Sequence, residues 1–420
     1  MTAFLNLAGV GILAPVMTFI VGRYVTDLQA HTWTVSLLFM SYSLCQFIAT
    51  PSLGALSDRY GRRPILLISL FGSAIGYLLL GIGGSVWMLF AGRIIDGITG
   101  GNIGTIYAYA ADITTPKERT RFYGTLGAAS GLGFVVGPII GGGLYSLTGL
   151  LEAPMYAAAL ITLLNVVWGY FVMPESLSAE RRDPQMDWAR ANPLTQLISV
   201  FRVLQIRLLL IAILLWTTSH SVIQSNLAHL TEDQLGWLPA QTNLLFVLIG
   251  IMQIVSQLYL IRILVPRFGE GRVALMGMVG LITGLACIGT AALTGFAPLV
   301  FVSAIFNASG NGLIIPTTSA LLSQAVGRRE QGRIQGGNQS VQALGRVLGP
   351  VYGGFTYTSF SAPVTYYGAA GIMLVTLSIA VRAMRRITAH REAVPASQET
   401  QTVAAVTAAA SAGQSPTINH

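Results

Sequence analysis

The chain has 420 residues, of which 53% are hydrophobic and only 10% are charged. A soluble protein of this length carries about a quarter of its residues as Asp, Glu, Lys and Arg, so the composition excludes an ordinary soluble domain. It indicates an all-α integral membrane protein whose helices cross the bilayer many times. The formal net charge of +8 needs no nucleic-acid partner, because cytoplasmic links of membrane proteins are enriched in Lys and Arg.

Twelve apolar runs, each long enough to cross a bilayer, follow one another along the chain. They are called spans 1 to 12. Their predicted ranges are 2–22, 34–53, 64–84, 86–111, 122–146, 152–173, 206–229, 239–262, 272–292, 296–322, 334–358 and 362–382.

The longest internal link divides the chain into two sets of six spans. The predicted domains are an N-terminal six-helix bundle (1–173), a cytoplasmic linker (174–205), a C-terminal six-helix bundle (206–382) and a disordered cytoplasmic tail (383–420). Within the linker, four apolar side chains share one helical face, which predicts an amphipathic helix on the membrane surface: Leu194, Leu197, Ile198 and Phe201. The tail is rich in Ala, Thr, Ser and Gln, which favours disorder.

The basic residues predict the orientation of the chain. Of the 24 Lys and Arg residues, all but Arg23, Arg93 and Arg346 lie in the links after even-numbered spans, in the tail, or at the span ends that border them. Since cytoplasmic links are enriched in Lys and Arg, both termini are predicted to be cytoplasmic. The protein is then a multi-pass component of the cell membrane, with the lipid bilayer as its surroundings.

An internal repeat relates the two halves. The stretch RFYGTLGAASGLGFVVGPIIGGGLY begins at Arg121, and RIQGGNQSVQALGRVLGPVYGGFTY begins at Arg333. Both place Gly-Pro and then Gly-Gly at the same offsets. Two parallel six-span repeats are therefore predicted, with a substrate site between them near the membrane midplane.

One link concentrates charge between two apolar runs. The stretch GALSDRYGRRPILL lies between spans 2 and 3 and contains two glycines that permit a tight turn, together with one acidic and three basic residues. In chain order these residues are Gly54, Asp58, Arg59, Gly61, Arg62 and Arg63.

This link resembles the signature loop of the major facilitator superfamily. RIIDGITGG in span 4, GLGFVVGPIIGG in span 5 and PES after span 6 resemble further motifs of that superfamily. The chain is most similar to its drug:proton antiporters, with the tetracycline-efflux branch the nearest. The resemblance implies a twelve-helix fold that works by alternating access, usually as a monomer, with a small-molecule substrate and with the proton gradient in place of any cofactor.

The resemblance implies a conformational latch at the charged link. In the family, the aspartate at this position of the loop accepts hydrogen bonds from a helix N-terminus across the repeat interface when the carrier faces outward. In this chain that position is Asp58. The loop arginines pair with an acid at the base of span 4, where this chain has Asp112. The plainer interpretation is that Arg59, Arg62 and Arg63 only anchor the topology.

The span 5 motif marks antiporters within the superfamily. Its small residues let helices approach closely, and this packing is either ordinary or seals the interior against leak. The motif residues are Gly133, Gly137, Pro138, Gly141 and Gly142.

Three charges lie at membrane depth, where a charge costs about 2.5–3.5 kcal/mol on insertion scales. Arg93 and Asp96 stand one turn apart in span 4. They form either a structural pair or a site at which Asp96 binds a proton. Arg346 in span 11 is open to three interpretations: it pairs with Asp96, binds an anionic substrate, or reaches towards the membrane surface.

Four polar residues are candidate cavity-lining groups, because the resemblance places spans 1, 4, 7 and 10 around the cavity: Asn6, Asn102, Gln224 and Asn307. Each is equally consistent with an interhelical hydrogen bond. The sequence also departs from the tetracycline exporters, which carry acids in spans 1, 3 and 9. The aligned positions here are Asn6, Gly76 and Gly280.

No enzyme motif is found: the chain has no P-loop, no zinc-ligand spacing and no Ser-His-Asp set in a soluble domain, so neither catalysis nor a metal site is predicted. Two transport functions remain. One is proton-coupled efflux of small lipophilic or amphiphilic compounds, of multidrug or tetracycline type. The alternative is a carrier of the same fold for a small, possibly anionic metabolite, bound by Arg93 and Arg346. A non-transporting membrane sensor is disfavoured by the latch-like loop.

Overall fold

The computed structural model describes residues 8, 9, 11–13, 15–114, 116–182, 192–325 and 331–411. Over these residues the regular structure is helical. The helices that correspond to spans 1 to 6, and that take over their names, are Met17–Val21, Leu28–Tyr60, Arg62–Ile82, Val86–Gly100 with Ile103–Ile113, Pro116–Thr148 and Ala153–Val172. The linker contains Ala179–Arg181 and Pro193–Phe201. The helices that correspond to spans 7 to 12 are Arg207–Leu235, Pro239–Val255 with Ser256–Leu260, Ile261–Thr294, Pro298–Gln324, Gln331–Ser359 and Ala362–Ser411.

Each predicted span coincides with helix in the part of the chain that the structure describes. Seven helical segments there are long and apolar enough to cross a membrane by length and composition. One of them, Pro239–Thr294, contains both span 8 and span 9, and a kink at Gly269, where φ is positive (77°), separates the two. The twelve-helix class that the sequence predicts is therefore the fold observed.

Span 4 differs from its predicted form, a single helix over 86–111. It is broken at Gly101 and Asn102. A Cβ at Gly101 would lie 2.9 Å from the backbone nitrogen of Thr50 in span 2. The absence of a side chain therefore allows span 4 to bend directly against the span 2 backbone.

The tail also differs from the prediction. The last helix continues to Ser411, through most of the segment for which the sequence favoured disorder. Its final turns read AAVTAAAS, and alanine has the highest intrinsic helix propensity. Residues 412–420 lie outside the described residues.

The linker helix forms where its apolar face was predicted. Asn192 caps it by accepting a hydrogen bond from the backbone of Leu194 at 2.9 Å. Val200 is buried and its side chain would clash with a Cβ at Gly337, so this helix packs against the start of span 11. Leu194 and Ile198 remain exposed, as expected for a face that lies on a membrane.

Among the described residues the two halves meet mainly through spans 2 with 11 and 5 with 8, and over a smaller area through spans 2 with 7. Small residues permit the first two contacts. A Cβ at Gly354 would lie 2.8 Å from Ser36 Oγ, and one at Gly142 would lie 2.8 Å from Asn243 Cβ. Large apolar side chains are exposed around the bundle, Trp87 and Phe171 among them, as on a lipid-facing surface.

The two ends of the bundle are named here by residues. The His31 end carries the links between spans 1 and 2, 7 and 8, and 11 and 12. The Asp58 end carries the links between spans 2 and 3 and between spans 6 and 7.

Candidate functional site

An ion pair is buried in span 4. Arg93 Nη1 lies 3.5 Å from Asp96 Oδ2, and each side chain is only 3% exposed. Beside the pair, Ser73 Oγ of span 3 lies 3.0 Å from Thr99 Oγ1 of span 4. The two charges that the sequence singles out therefore face each other inside the protein, as charges at membrane depth must.

Glycines build the space for this pair. A Cβ at Gly76 would lie 2.9 Å from Asp96 Cβ, and one at Gly97 would lie 2.5 Å from the carbonyl oxygen of Tyr42. Spans 2 and 3 can therefore both approach span 4 at the level of the pair. Gly76 is the position at which the resemblance places an acid, and here the neighbouring carboxylate is that of Asp96.

Arg93 is held by span 2 as well as by Asp96. Its Nε donates to the carbonyl oxygen of Leu38 at 3.3 Å, and its guanidinium carbon lies 4.2 Å from the ring centroid of Tyr42. A cation over an aromatic face is attracted by the ring quadrupole. The arginine is thus fixed from two sides by a helix that also contacts the other half.

A polar chain continues from Tyr42 to the second half. Gln46 donates to Tyr42 Oη at 3.3 Å and to the carbonyl oxygen of Gly100 at 3.1 Å. Its Oε1 accepts a hydrogen bond from Arg346 Nη2 at 3.4 Å. The two membrane arginines are therefore linked across the interface by two side chains of span 2.

These contacts test the predicted pairing of Arg346 with Asp96. It does not pair directly with Asp96, and among the described residues no carboxylate lies within ion-pair distance of it. Its half-buried guanidinium is held by a neutral amide. Anion binding by Arg346 stays a prediction.

The lining candidates are dispersed. Asn6 lies outside the described residues. Asn307 is buried, and a Cβ at Gly284 would lie 2.5 Å from its Nδ2, so it packs towards span 9 within its own half. Asn102 is fully buried beside the break in span 4, and Gln224 is half-buried in span 7. Their role in lining a cavity stays a prediction.

Arg62 is the centre of the charged link. It contacts Asp58 at 2.5 Å, Asp112 at 3.3 Å and Ser57 Oγ at 2.7 Å. The ion pair with an acid at the base of span 4 is thus present. Asp58 pairs within its own loop and is half-exposed, and Arg59 lies over the ring of Tyr60.

Glu175, in the PES motif after span 6, caps span 3. Its carboxylate accepts from the backbone nitrogens of Arg62 at 2.9 Å and Arg63 at 3.3 Å. Gly61 (φ 103°) sits directly against this carboxylate, where a side chain would collide. Arg63 in turn donates to the carbonyl oxygen of Tyr170 in span 6. The link is therefore fastened to the ends of both span 4 and span 6.

We expect Glu175→Gln to lower the free energy of unfolding by about 1 kcal/mol, because it removes a negative charge from a helix N-terminus and weakens its cap. Thermal unfolding in detergent measures the effect. Glu180→Gln, an exposed carboxylate five residues further on, is the matched control. Equal melting temperatures for both variants would contradict the capping role.

The span 5 motif packs in two directions. A Cβ at Gly137 would lie 2.5 Å from the carbonyl oxygen of Ala8, and one at Gly141 would lie 3.4 Å from that of Ile12, both in span 1. Gly142 faces Asn243 of span 8, in the other half. Gly133 and Pro138 are buried. The motif therefore sets the distance from span 5 to both neighbours, and its sealing role stays a prediction.

Sequence reasoning gave no role to three residues of this network: Tyr42, Gln46 and Glu175. A glutamine and a tyrosine inside an apolar span indicate polar contacts between helices, but many such residues occur in this chain, so the sequence does not single out these two. Glu175 lay within a recognised motif, and only the folded link shows what it contacts.

Comparisons with known proteins identify the family of the chain. The sequence profile of the Major Facilitator Superfamily matches residues 1–294 and 209–413. The tetracycline resistance protein of class C from Escherichia coli is 32% identical over 396 residues, which cover 92% of this chain and 95% of that protein. Multidrug resistance protein 2 of Bacillus subtilis (strain 168) is 27% identical over 381 residues, 90% of this chain and 92% of that protein.

Solved structures share the fold. The human organic anion transporter MFSD10 (TETRAN) superposes with a TM-score of 0.71 at 23% identity, covering 90% of this chain and 97% of that one. The nucleoside transporter NupG gives 0.72 at 13% identity, covering 92% and 98%. Two packed six-helix halves, a charged link between spans 2 and 3, and a matching profile over nearly the whole sequence show that the chain belongs to the Major Facilitator Superfamily.

Proposed function

We propose that this chain is a secondary active transporter that exports small lipophilic or amphiphilic compounds in exchange for protons. The observation that carries this proposal is the buried Arg93–Asp96 pair, joined through Tyr42 and Gln46 to Arg346 of the other half. The similarity to tetracycline and multidrug resistance proteins over most of the chain supports export of such compounds.

Asp96 is the proposed proton-binding group. When Asp96 is ionised, it attracts Arg93 at 3.5 Å. When it is protonated, that attraction falls, and Arg93 is left with its contacts to Leu38 and Tyr42 of span 2. Because span 2 packs against span 11, protonation changes the forces at the interface between the halves. A ligand or proton shifts a two-state equilibrium by its differential interaction with the two states.

The Asp58 end is proposed to face the cytoplasm, with both termini on that side of the cell membrane. The distribution of arginines supports this orientation. The ion pairs of Arg62 with Asp58 and Asp112 then form the cytoplasmic latch. The transport unit is proposed to be the monomer, as the resemblance to the superfamily implies.

The proposal is tested in inside-out membrane vesicles with an acidic interior that is followed by a pH-sensitive dye. Tetracyclines, lipophilic cations and organic anions are added in turn. We expect at least one tetracycline or lipophilic cation to collapse the gradient in vesicles that contain this protein and not in vesicles that lack it. Equilibration of a radiolabelled compound with no effect on the gradient would contradict proton antiport.

A second candidate function rests on Arg346. It is held by the neutral Gln46, which leaves a positive charge near the interface for an anionic metabolite. The same vesicles discriminate between the two: anion uptake that persists in Asp96→Asn and is lost in Arg346→Ala favours the anion carrier. Drug-dependent gradient collapse that is lost in Asp96→Asn favours the exporter.

A further inference from the structure

Two histidines and a glutamate from opposite halves meet at the His31 end. His31 lies in span 2, and His229 and Glu232 lie in span 7. One potential ligand atom from each residue falls within 4.8 Å of the others. Both histidines are buried, at 6% and 2% exposed, and their ring centroids are 4.8 Å apart.

Hydrogen bonds fix the proton of the His31 ring. Its Nε2 lies 2.9 Å from the carbonyl oxygen of Thr18, which can only accept. Nε2 must therefore carry the hydrogen and donate it. In the neutral ring, Nδ1 then keeps its lone pair.

The same reasoning applies to His229. Its Nε2 lies 2.7 Å from Thr32 Oγ1. Thr32 donates its single hydroxyl proton to the carbonyl oxygen of Leu28 at 2.9 Å, so it must accept from the ring. His229 Nδ1 again keeps its lone pair. A histidine that ligates a metal commonly donates its other N–H to a carbonyl or similar acceptor in this way.

The remaining electron pairs lack protein partners. His229 Nδ1 and Glu232 Oε2 are buried and accept no hydrogen bond from the described residues. Both residues, with His31 and Asp233, line a cavity of about 330 Å³ at this end of the bundle. Unsatisfied buried acceptors are costly, and a cation would satisfy these two together.

We propose that His31, His229 and Glu232 bind one zinc(II) ion between the two halves. Two imidazoles and a carboxylate form a known ligand set for zinc, with a fourth position for water. Zinc bonds of about 2.0–2.1 Å place tetrahedral ligand atoms about 3.4 Å apart. The ligand atoms, now within 4.8 Å of one another, must move closer to reach this spacing, and the cavity beside Glu232 gives its carboxylate room to do so.

Tyr357 of span 11 packs against the cluster and is positioned by Asp233. Asp233 accepts a hydrogen bond from Tyr357 Oη at 2.9 Å, and the ring of Tyr357 packs 5.0 Å from that of His229. Because the ligands come from spans 2 and 7, bound zinc joins the two halves at the His31 end. The ion then holds that end closed and opposes the opening that alternating access requires.

Binding is measured on purified protein without a histidine tag, in a parent in which both tail histidines, His390 and His420, are replaced by Gln. Zinc is titrated against a chromophoric chelator. We expect one zinc per chain. His31→Gln and His229→Gln should each weaken binding by about 100-fold, since even loss of a group that orients a ligand costs about 10–100-fold. Glu232→Gln should weaken it by at least about tenfold.

His220→Gln is the matched control, because His220 is a second histidine of span 7 outside the cluster. Its affinity should equal that of the parent. In each His→Gln variant of the cluster, the side-chain amide can still donate the hydrogen bond that histidine Nε2 donates in the parent. Only variants that elute as a single folded species are compared. Parent-like affinity in folded His31→Gln, or no stoichiometric binding by the parent, would overturn the proposal.

The closing of the His31 end by zinc is tested separately from transport. Spin labels at Gln29→Cys in span 2 and Gln234→Cys in span 7, both exposed positions, report the distance between the halves when Cys45 and Cys287 are replaced by Ala. Zinc should increase the population at short distance, and His229→Gln should abolish this shift. If the distribution of distances between the two labels does not change on saturation with zinc, zinc does not hold the His31 end closed.

Discussion

Asp96→Asn is expected to abolish proton-coupled transport and also to destabilise the protein. The asparagine is nearly the same size but binds no proton at any working pH. It also leaves the Arg93 charge without the carboxylate that lies 3.5 Å away in the native pair. Breaking a buried ion pair by removing one partner costs about 3–5 kcal/mol. A loss of transport in this variant alone therefore has two possible causes.

The double variant Arg93→Gln/Asp96→Asn separates them. Removing both charges leaves no uncompensated ion, and replacing a whole buried pair is often close to neutral for stability. We expect the melting temperature in detergent to recover most of the loss seen in either single variant. Collapse of the pH gradient by substrate should remain absent.

The measurements are thermal unfolding and the inside-out vesicle assay, made on the same four proteins. Arg93→Gln alone serves as the reciprocal control, because it keeps the carboxylate and removes its partner. Wild-type proton coupling in the double variant would show that Asp96 is not the proton-binding group and that the pair is structural.

Gly137→Ala is expected to have the second large effect. The added Cβ would lie 2.5 Å from the carbonyl oxygen of Ala8 and 2.9 Å from Gly11 Cα. These are backbone atoms, so the clash cannot be relieved by rotating a side chain, and spans 1 and 5 must separate. Overpacking of this kind costs about 1–3 kcal/mol. We expect a lower melting temperature and a loss of most transport activity.

The same helix offers a control. A Cβ at Gly143 would meet no atom within 4 Å, so Gly143→Ala should match the wild type in both measurements. Gly142→Ala should also destabilise the protein, because the nearest atom it meets is Asn243 Cβ at 2.8 Å, which is fixed to the backbone of span 8 and does not move when the side chain rotates. Equal effects at Gly137 and Gly143 would show that helix propensity, rather than close packing, explains these glycines.

The sequence by itself determined the class of the protein and the position of its spans. Bilayer thickness fixes the length of an apolar helix, so hydropathy locates each span without tertiary information. The charged link and the span 5 motif could likewise be recognised, since their glycines and charges stand at fixed local spacings. The Arg93–Asp96 pair was predictable for the same reason, because residues three apart share one face of a helix.

Only the tertiary structure decided which distant side chains meet. Gln46 reaches Arg346 across 300 positions of sequence, and His31 reaches His229 across 198. Glu175 caps a helix that begins more than 100 residues earlier. Periodicity gives the face on which a residue lies and leaves open which helix covers that face. Packing of the twelve spans settles that choice, and with it the polar chain between the halves and the cluster at the His31 end.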